Sequence, residues 1–249
     1  MRILEREIVL SEDEVVAYDS IVRKYLKILH AGFIETVINM SPPKGLFLDI
    51  GTGSGWIAIG VAKYNPDVEV WGIDLSSTML KVAQKNAEEQ GVSSRTRFFL
   101  GDAKRLTFES ETFDAVFCHN MLHHLPEPIQ MVKEIVRVAK KDGAIIIRDL
   151  KRVSRLCAEF HVNIFGLPYN KLMKKEYRDS ILAALSENEW KNLFRSIGLS
   201  DSRLTKQFIT HLSMERPSKH RRNDYLEIPI SFYCKPIKDL YISKWFLKR

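Results

Sequence analysis

A glycine-rich segment with an acidic residue in front of it has the clearest chemistry in the sequence. It spans residues 49–55 and reads DIGTGSG, between a short apolar run and a helix-like stretch. Glycines in such a turn let the backbone approach a ligand closely. The spacing is G-x-G-x-G, whereas dinucleotide sites that hold a pyrophosphate use G-x-G-x-x-G. Because Asp49 precedes the first glycine, the turn favours a ligand with an ammonium group over one with phosphates.

Polar or small residues also follow the next three predicted strands. Asp74 comes 19 residues after Gly55, the distance at which an acidic residue accepts the ribose hydroxyls of an adenosine ligand. Asp102 follows the third strand, where a carboxylate can accept a hydrogen bond from the adenine amine. The segment 118–124, CHNMLHH, follows the fourth. Ligands bind at this carboxyl edge of open α/β sheets, so the pattern predicts a site for a cationic adenosine compound.

Alternating strands and helices position these residues. Residues 14–40 predict a helix that ends at Ser41-Pro42-Pro43, since proline cannot continue it. Five apolar strands then alternate with helices: GLFLDI, VEVWGID, TRFFLGD, FDAVFCHN and AIIIRDL, with the last helix reading PEPIQMVKEIVRVAKKDG. Buried strands in this rhythm predict a doubly wound, parallel α/β sheet.

The chain divides into five predicted parts. They are an N-terminal helical lid (1–45), a cofactor-binding core (46–150), a substrate-side insertion (151–185), the end of the core sheet (186–216) and a basic C-terminal extension (217–249). Ser186 caps a predicted helix that stops at Gly198, and residues 201–216 predict one or two further strands. The insertion lies over the carboxyl ends of the strands, which makes His161, Tyr169, Tyr177 and Arg178 candidate substrate contacts.

Composition limits the partners that we expect. The 249 residues have a net charge of +7, but no apolar run is long enough for a membrane span or a signal peptide. A cytoplasmic protein without a membrane partner is expected. Three dispersed cysteines predict neither disulfides nor a metal site, and Cys118 is expected to be a buried thiol. We interpret the excess of basic residues as a solvated surface rather than as a nucleic-acid site.

Four motifs in order, LDIGTGSG, GID, GDA and NMLHHLPEP, resemble the class I S-adenosylmethionine-dependent methyltransferases, in particular their small-molecule branch. The resemblance covers residues 46–150 well. It implies a Rossmann-like, doubly wound, mostly parallel seven-stranded sheet with an N-terminal helical lid and an insertion after the fifth strand. The implied cofactor is S-adenosyl-L-methionine.

The resemblance also implies roles for individual residues. Asp49, Gly51 and Gly53 hold the methionine moiety, with Thr52 and Gly55 in the same turn. Asp74 binds the ribose, with Leu75 and Met79 packing beside it. The adenine is contacted by Gly101, Asp102 and Ala103. The site beneath the sulfonium is lined by His119 and Asn120. Tyr18 on the lid is expected near the methionine end, although helix packing explains this residue equally well.

Methyl transfer from a sulfonium is an in-line displacement that mainly needs positioning of the nucleophile. A general base is needed only if the acceptor must lose a proton. We predict His124 and Asp149 for that role. The alternative for His124 is a structural turn, and the alternative for Asp149, as for its neighbour Arg148, is a salt bridge.

Three other functions stay open: an RNA or protein methyltransferase that uses the basic extension, a non-catalytic cofactor-binding protein and, more distantly, an NAD-dependent oxidoreductase. The fourth-strand position reads HNML rather than N/D-P-P-Y, which disfavours attack by base amines. Neither the acceptor nor the oligomeric state follows from the sequence.

Overall fold

A seven-stranded sheet forms the centre of the protein in this computed structural model. The structure describes residues 2–4, 15, 19, 27–167, 169–199, 201–207 and 210–228. The strands are β1 (Gly45–Ile50), β2 (Val68–Asp74), β3 (Thr96–Leu100), β4 (Phe113–His119), β5 (Ala139–Leu150), β6 (Arg203–Gln207) and β7 (His211–Arg216). Their order is β3-β2-β1-β4-β5-β7-β6. Strands β1 to β5 pair in parallel and β7 is antiparallel to both neighbours, which confirms the predicted fold class.

Helices cover both faces of the sheet. Within the described ranges they are α1 (Lys27–Met40), α2 (Trp56–Tyr64), α3 (Ser77–Glu89), α4 (Ile129–Val138), α5 (Arg155–Phe165), α6 (Lys171–Ala183) and α7 (Glu187–Ser196). Successive strand residues face opposite sides: Phe47 packs in one apolar cluster with α1 and α2, and Leu48 in another with α4 and α7. Burial on both faces explains why the strands are continuous apolar runs.

Strand β5 begins earlier than the sequence predicts. The sequence predicts a helix that runs to Gly143, but α4 ends at Val138 and residues 139–143 are extended. Ala139 pairs with Phe113, and the register shifts between Phe113 and Ala115. Pairing with the start of β4 therefore outweighs the helix propensity of this lysine-rich segment.

The two ends of the insertion lie next to each other. Lys151 and Leu185 form an isolated parallel bridge. Between them α5 and α6 pack together over the end of β5, with Leu150, Ala158, Val162 and Ile181 in a third apolar cluster. The insertion is thus a two-helix layer, called the cap below, at the carboxyl end of β5.

Of the predicted helix over residues 14–40, the structure describes α1, together with single residues before it. Val15 and Asp19 are also helical, whereas Tyr18 lies outside the described residues, as does the extension after residue 228. Among the helices that the structure describes, none is both long and apolar enough to cross a bilayer.

Candidate active site

The glycine turn follows β1 with three glycines in left-handed backbone conformations. Gly51, Gly53 and Gly55 have φ values of 71°, 53° and 83°, which glycine adopts at little cost. The amides of Gly51 and Thr52 both donate to the carbonyl oxygen of Ile73, at 2.9 and 3.0 Å. These bonds fix the turn against the carboxyl end of β2.

The three glycines face different surroundings. A Cβ atom on Gly51 would lie 2.5 Å from Met121 Sδ, and one on Gly55 would lie 2.9 Å from Ala83 Cβ. A Cβ on Gly53 would meet no protein atom within 4 Å. Two glycines therefore permit close packing within the protein, and the third leaves backbone open to a ligand.

Replacing Gly53 by alanine should weaken cofactor binding at least about tenfold, because the new methyl group would occupy ligand space. The matched control is Gly91→Ala. Gly91 also has a positive φ, 71°, and open space around its Cβ position, but it follows α3 away from the turn. Both variants should lose a similar 1–2 kcal/mol of stability, on the order of the left-handed backbone cost. Equal cofactor affinities by calorimetry would contradict an open ligand face at Gly53.

Asp74 connects the glycine turn to the start of α3. Its Oδ2 accepts the amide of Gly53 and its Oδ1 that of Ser76, each at 2.9 Å. Burial raises the pKa of Asp74, although these amides oppose the shift. The carboxylate oxygens keep further lone pairs for two hydroxyls. Nearby, Leu75 is 43% exposed and Met79 is buried in the first turn of α3.

Asp49 is buried beneath the same turn. Its Oδ2 accepts the hydroxyl of Thr52 at 2.8 Å. Burial raises the pKa of Asp49 to about 7, the Thr52 bond lowers it, and the charge of Asp74 adds to the rise. A neighbouring cation would lower the pKa of such a carboxyl group and ionise it at neutral pH.

The β3 end adds a second acidic edge. The amide of Gly101 donates to the carbonyl oxygen of Asp74 at 3.0 Å, which places residues 101–103 beside the β2 end. Asp102 is partly exposed and its Oδ1 accepts the amide of Lys104 at 2.8 Å. Ala103 is buried. In this arrangement the carboxylate of Asp102 could accept a hydrogen bond from a planar base, and the apolar side chain of Ala103 could pack against the base.

His119 and Asn120 terminate β4 on the opposite side of the turn. Asn120 has a φ of 53°, and its buried Oδ1 has no hydrogen-bond partner among the described residues. The His119 ring lies 4.7 Å from that of Phe33 and 5.5 Å from that of His30. Burial, with the charges of His30 and Arg148, lowers the pKa of His119 well below its usual value, so the imidazole is neutral.

The predicted base Asp149 pairs with His123. His123 Nδ1 lies 2.6 Å from Asp149 Oδ1, and both side chains are at least 96% buried. Burial alone raises the pKa of Asp149, but His123 and the amide of Leu150 hold it below its usual range. The His124 ring stacks at 4.0 Å from that of His123. Arg148 donates instead to Thr36 Oγ1 at 2.9 Å.

The cap contributes a polar contact beside this pair. His161 Nε2 lies 2.8 Å from the Tyr177 hydroxyl and 3.2 Å from Thr210 Oγ1. The contact joins α5, α6 and the residue before β7. Of the other candidate contacts, Arg178 pairs with Glu159 at 2.7 Å and Tyr169 is partly buried.

Sequence reasoning did not identify Arg2. Its guanidinium donates to the carbonyl oxygens of His123 at 3.1 Å, Leu125 at 2.7 Å and Pro126 at 3.1 Å. Bonds from a distant arginine to main-chain carbonyls leave no side-chain pattern in the sequence.

An open sheet in the order 3-2-1-4-5-7-6, with a glycine turn and acidic residues at its carboxyl edge, defines a Rossmann-like nucleotide-binding class. Residues 48–147 match the family model described as a methyltransferase domain. The ubiquinone biosynthesis O-methyltransferase of Pseudomonas fluorescens is 30% identical over 188 residues, covering 72% of this chain and 78% of that protein. The chain belongs to the class I S-adenosylmethionine-dependent methyltransferases.

Other similarities are more partial. The methyltransferase YcgJ of Bacillus subtilis is 36% identical over 102 residues, 41% of this chain and 39% of that protein. Its crystal structure matches with a TM-score of 0.53 at 27% identity, over 71% of this chain and 69% of that one. The chain spans between about two fifths and half of the length of the first curated relatives that it matches. The plantazolicin methyltransferase BamL, solved with SAH, has a TM-score of 0.62 at 21% identity, covers 78% of this chain and 71% of that one, and shows the fold alone.

Proposed function

We propose that this protein binds S-adenosyl-L-methionine and transfers its methyl group to a small-molecule acceptor. One observation carries the proposal: the open backbone face at Gly53 lies beside Asp74, whose two oxygens already hold the turn and the start of α3. The ribose would lie on Asp74 and the adenine beside Asp102. The methionine moiety would lie along the turn, near Asp49.

The acidic edge favours this cofactor over a dinucleotide. A diphosphate at the glycine turn would meet the carboxylate of Asp49, whereas an ammonium group there gains from it. The remaining predicted contacts are Gly51, Thr52 and Gly55 in the turn, Leu75 and Met79 beside the ribose, Gly101 and Ala103 beside the adenine, and His119, Asn120 and Tyr18 near the methionine end. The described residues contain no cluster of metal-ligating side chains, and the proposed reaction uses none.

Transfer itself needs an acceptor atom held about 3 Å from the methyl carbon, in line with the bond to sulfur. When bound, the cofactor would supply an activated methyl group: the acceptor's lone pair would form the new bond to carbon as the carbon–sulfur bond breaks and its electron pair stays on sulfur, which becomes a neutral thioether. For an acceptor that must lose a proton, we keep His124 and Asp149 as predicted bases, and Asp149 would act through His123, its 2.6 Å partner.

A small acceptor is favoured over RNA or protein by the relatives and by the position of the cap. Relatives include an ajmaline N-methyltransferase of Rauvolfia serpentina and the ubiquinone biosynthesis O-methyltransferase. The cap covers the β5 end of the sheet through the contact of His161 with Tyr177 and Thr210.

The test uses cofactor labelled on the transferred methyl group, incubated with protein and a cell extract separated into small-molecule, RNA and protein fractions. Label should enter the small-molecule fraction, and Asp74→Ala should reduce the signal at low cofactor concentration by at least about fivefold. Label in RNA or protein alone would overturn the acceptor class. Cofactor binding with no label in any fraction would replace the enzyme by a non-catalytic binding protein.

Cofactor affinity should rise with pH. In the free protein Asp49 has a pKa of about 7 because it is buried, and the bound cation favours its ionised form. Binding then releases a proton at pH 6 and almost none at pH 8, so affinity should increase about five- to tenfold between pH 6 and pH 7.5. Calorimetry in buffers of different ionisation enthalpy measures both quantities.

The control for this pH dependence is Asp49→Asn, which keeps an acceptor for Thr52 and cannot ionise. Its affinity should be lower at pH 7.5 and nearly independent of pH. Because the folded pKa of Asp49 lies above the unfolded one, the wild type alone should also lose stability from this group as pH rises from about 4 to 7. An identical pH profile in both proteins would exclude Asp49 from the cofactor site.

A further inference from the structure

The outward face of α5 is apolar. Leu156, Phe160 and Ile164 follow one another at four-residue spacing and are 81%, 64% and 43% exposed. The opposite face of the helix buries Ala158 and Val162 against the cap core. A helix on a protein surface normally exposes a polar face, so packing among the described residues does not account for the outward stripe.

Exposed apolar side chains also follow α5 in the chain, in the turn and in α6. Leu167 in the turn is 74% exposed and Leu172 in the first turn of α6 is 63% exposed. We call the five side chains Leu156, Phe160, Ile164, Leu167 and Leu172 the cap patch. Isolated exposed apolar residues are common, but a contiguous group marks an interaction surface.

Cations border the cap patch. Arg155 and Lys171 precede Leu156 and Leu172 in the chain, and Lys174 lies beside the turn, where its Cγ would be 3.5 Å from a Cβ on Gly166. In the described part of the chain these three make no ion pair, in contrast to Lys175 and Arg178. Residues 151–180 contain seven Lys or Arg and three Asp or Glu. The border of the patch is therefore positively charged.

We propose that the cap patch docks on the surface of an anionic lipid bilayer. Leucine and phenylalanine side chains on one helix face enter the boundary between headgroups and acyl chains, and adjacent lysine and arginine side chains attract anionic headgroups. The sequence-based expectation of no membrane partner came from the lack of an apolar span, which this mode of binding does not require. The proposal is independent of methyl transfer.

Docking in this orientation would place the cap between the bilayer and the carboxyl edge of the sheet. The inner side of α5 holds His161 against Tyr177 and Thr210, and its outer side holds Phe160. An acceptor dissolved in the bilayer would then meet the cap first.

Vesicle flotation with the full chain tests the proposal. Vesicles of phosphatidylcholine with about 30% phosphatidylglycerol should bind the protein, and vesicles of phosphatidylcholine alone should bind it at least about tenfold more weakly. The triple variant Leu156→Ser, Phe160→Ser, Ile164→Ser should lose at least tenfold in binding to the anionic vesicles. Lys171→Glu with Lys174→Glu should reduce binding to anionic vesicles and remove its dependence on salt.

A matched pair of single substitutions separates the patch from general surface hydrophobicity. Leu172→Ser, at a residue 63% exposed, should reduce vesicle binding, and Leu100→Ser, at one 65% exposed on β3, should not. Apart from the partly buried Lys174, the variants change exposed side chains, and thermal unfolding close to wild type checks that they fold.

Equal binding of the Leu172→Ser and Leu100→Ser variants, or no binding of the wild type, would overturn the proposal. A wild-type dimer that the triple variant converts to monomer, without vesicle binding, would assign the patch to a second copy of the chain. If the wild type bound anionic vesicles but transferred no methyl group to any acceptor, the proposed function would be refuted and the docking surface would stand.

Discussion

Asp74→Ala is expected to weaken binding of S-adenosylmethionine by about 1–3 kcal/mol, or roughly 5- to 150-fold. The carboxylate would hold the ribose hydroxyls and also accepts the amides of Gly53 and Ser76. Its removal leaves both amides without this acceptor and loosens the turn at the residue with the open face. Titration calorimetry measures the affinity, and urea unfolding measures the accompanying loss of stability.

Asp114→Ala is the matched control. Asp114 also accepts a strand amide, that of Leu46 at 3.0 Å, and pairs with Lys140, but it lies at the amino end of β4. This variant should lose stability while its cofactor affinity stays within about twofold of wild type. If the two variants bind the cofactor equally well, the ribose does not lie on Asp74.

His123→Ala should lower the free energy of unfolding by about 3–5 kcal/mol, because it leaves the Asp149 carboxylate buried without its side-chain partner. Since the folded pKa of Asp149 lies below 3.8, the stabilisation is complete above about pH 4 and is lost as pH falls through the folded value. Urea unfolding at pH 7 measures the free energy. His124→Ala, at the neighbouring ring, should cost clearly less.

A double-mutant cycle checks the physical cause of that loss. Asp149→Ala together with His123→Ala removes the stranded charge along with its partner, so the double variant should be more stable than the sum of the single losses predicts. Strict additivity would mean that the two side chains stabilise the fold independently, in conflict with their 2.6 Å contact.

Local sequence signals are enough to predict the strands, the glycine turn and the helix ends that position the site. Buried parallel strands are continuous apolar runs, and the turn residues 49–55 have few alternatives to a strand-to-helix turn. Ser186 and Glu189 form a capping box at the start of α7, in which each side chain accepts a hydrogen bond from the other residue's backbone amide. Gly198 follows the helix with a φ of 72°. Such signals act within a few residues of the chain, which is why they can be interpreted without the fold.

Features that depend on tertiary contacts were not predictable. Residues 139–143 have the composition of a helix end, yet Ala139 pairs with Phe113 across 26 positions of sequence. His123 and His124 are adjacent and chemically identical, and the short 3-10 turn at 122–124 decides that His123 meets Asp149. The carbonyl contacts of Arg2 also depend on the fold of residues more than 100 positions away.

Titration of the purified chain with S-adenosylmethionine, and separately with its demethylated product, tests the central claim most directly. Both should bind at one site per chain, with affinity lowered in Gly53→Ala and unchanged in Gly91→Ala, and neither NAD nor NADP should bind. If neither sulfur compound gives heat or a shift in thermal unfolding, the carboxyl edge that Asp49, Asp74 and Asp102 form does not bind this cofactor.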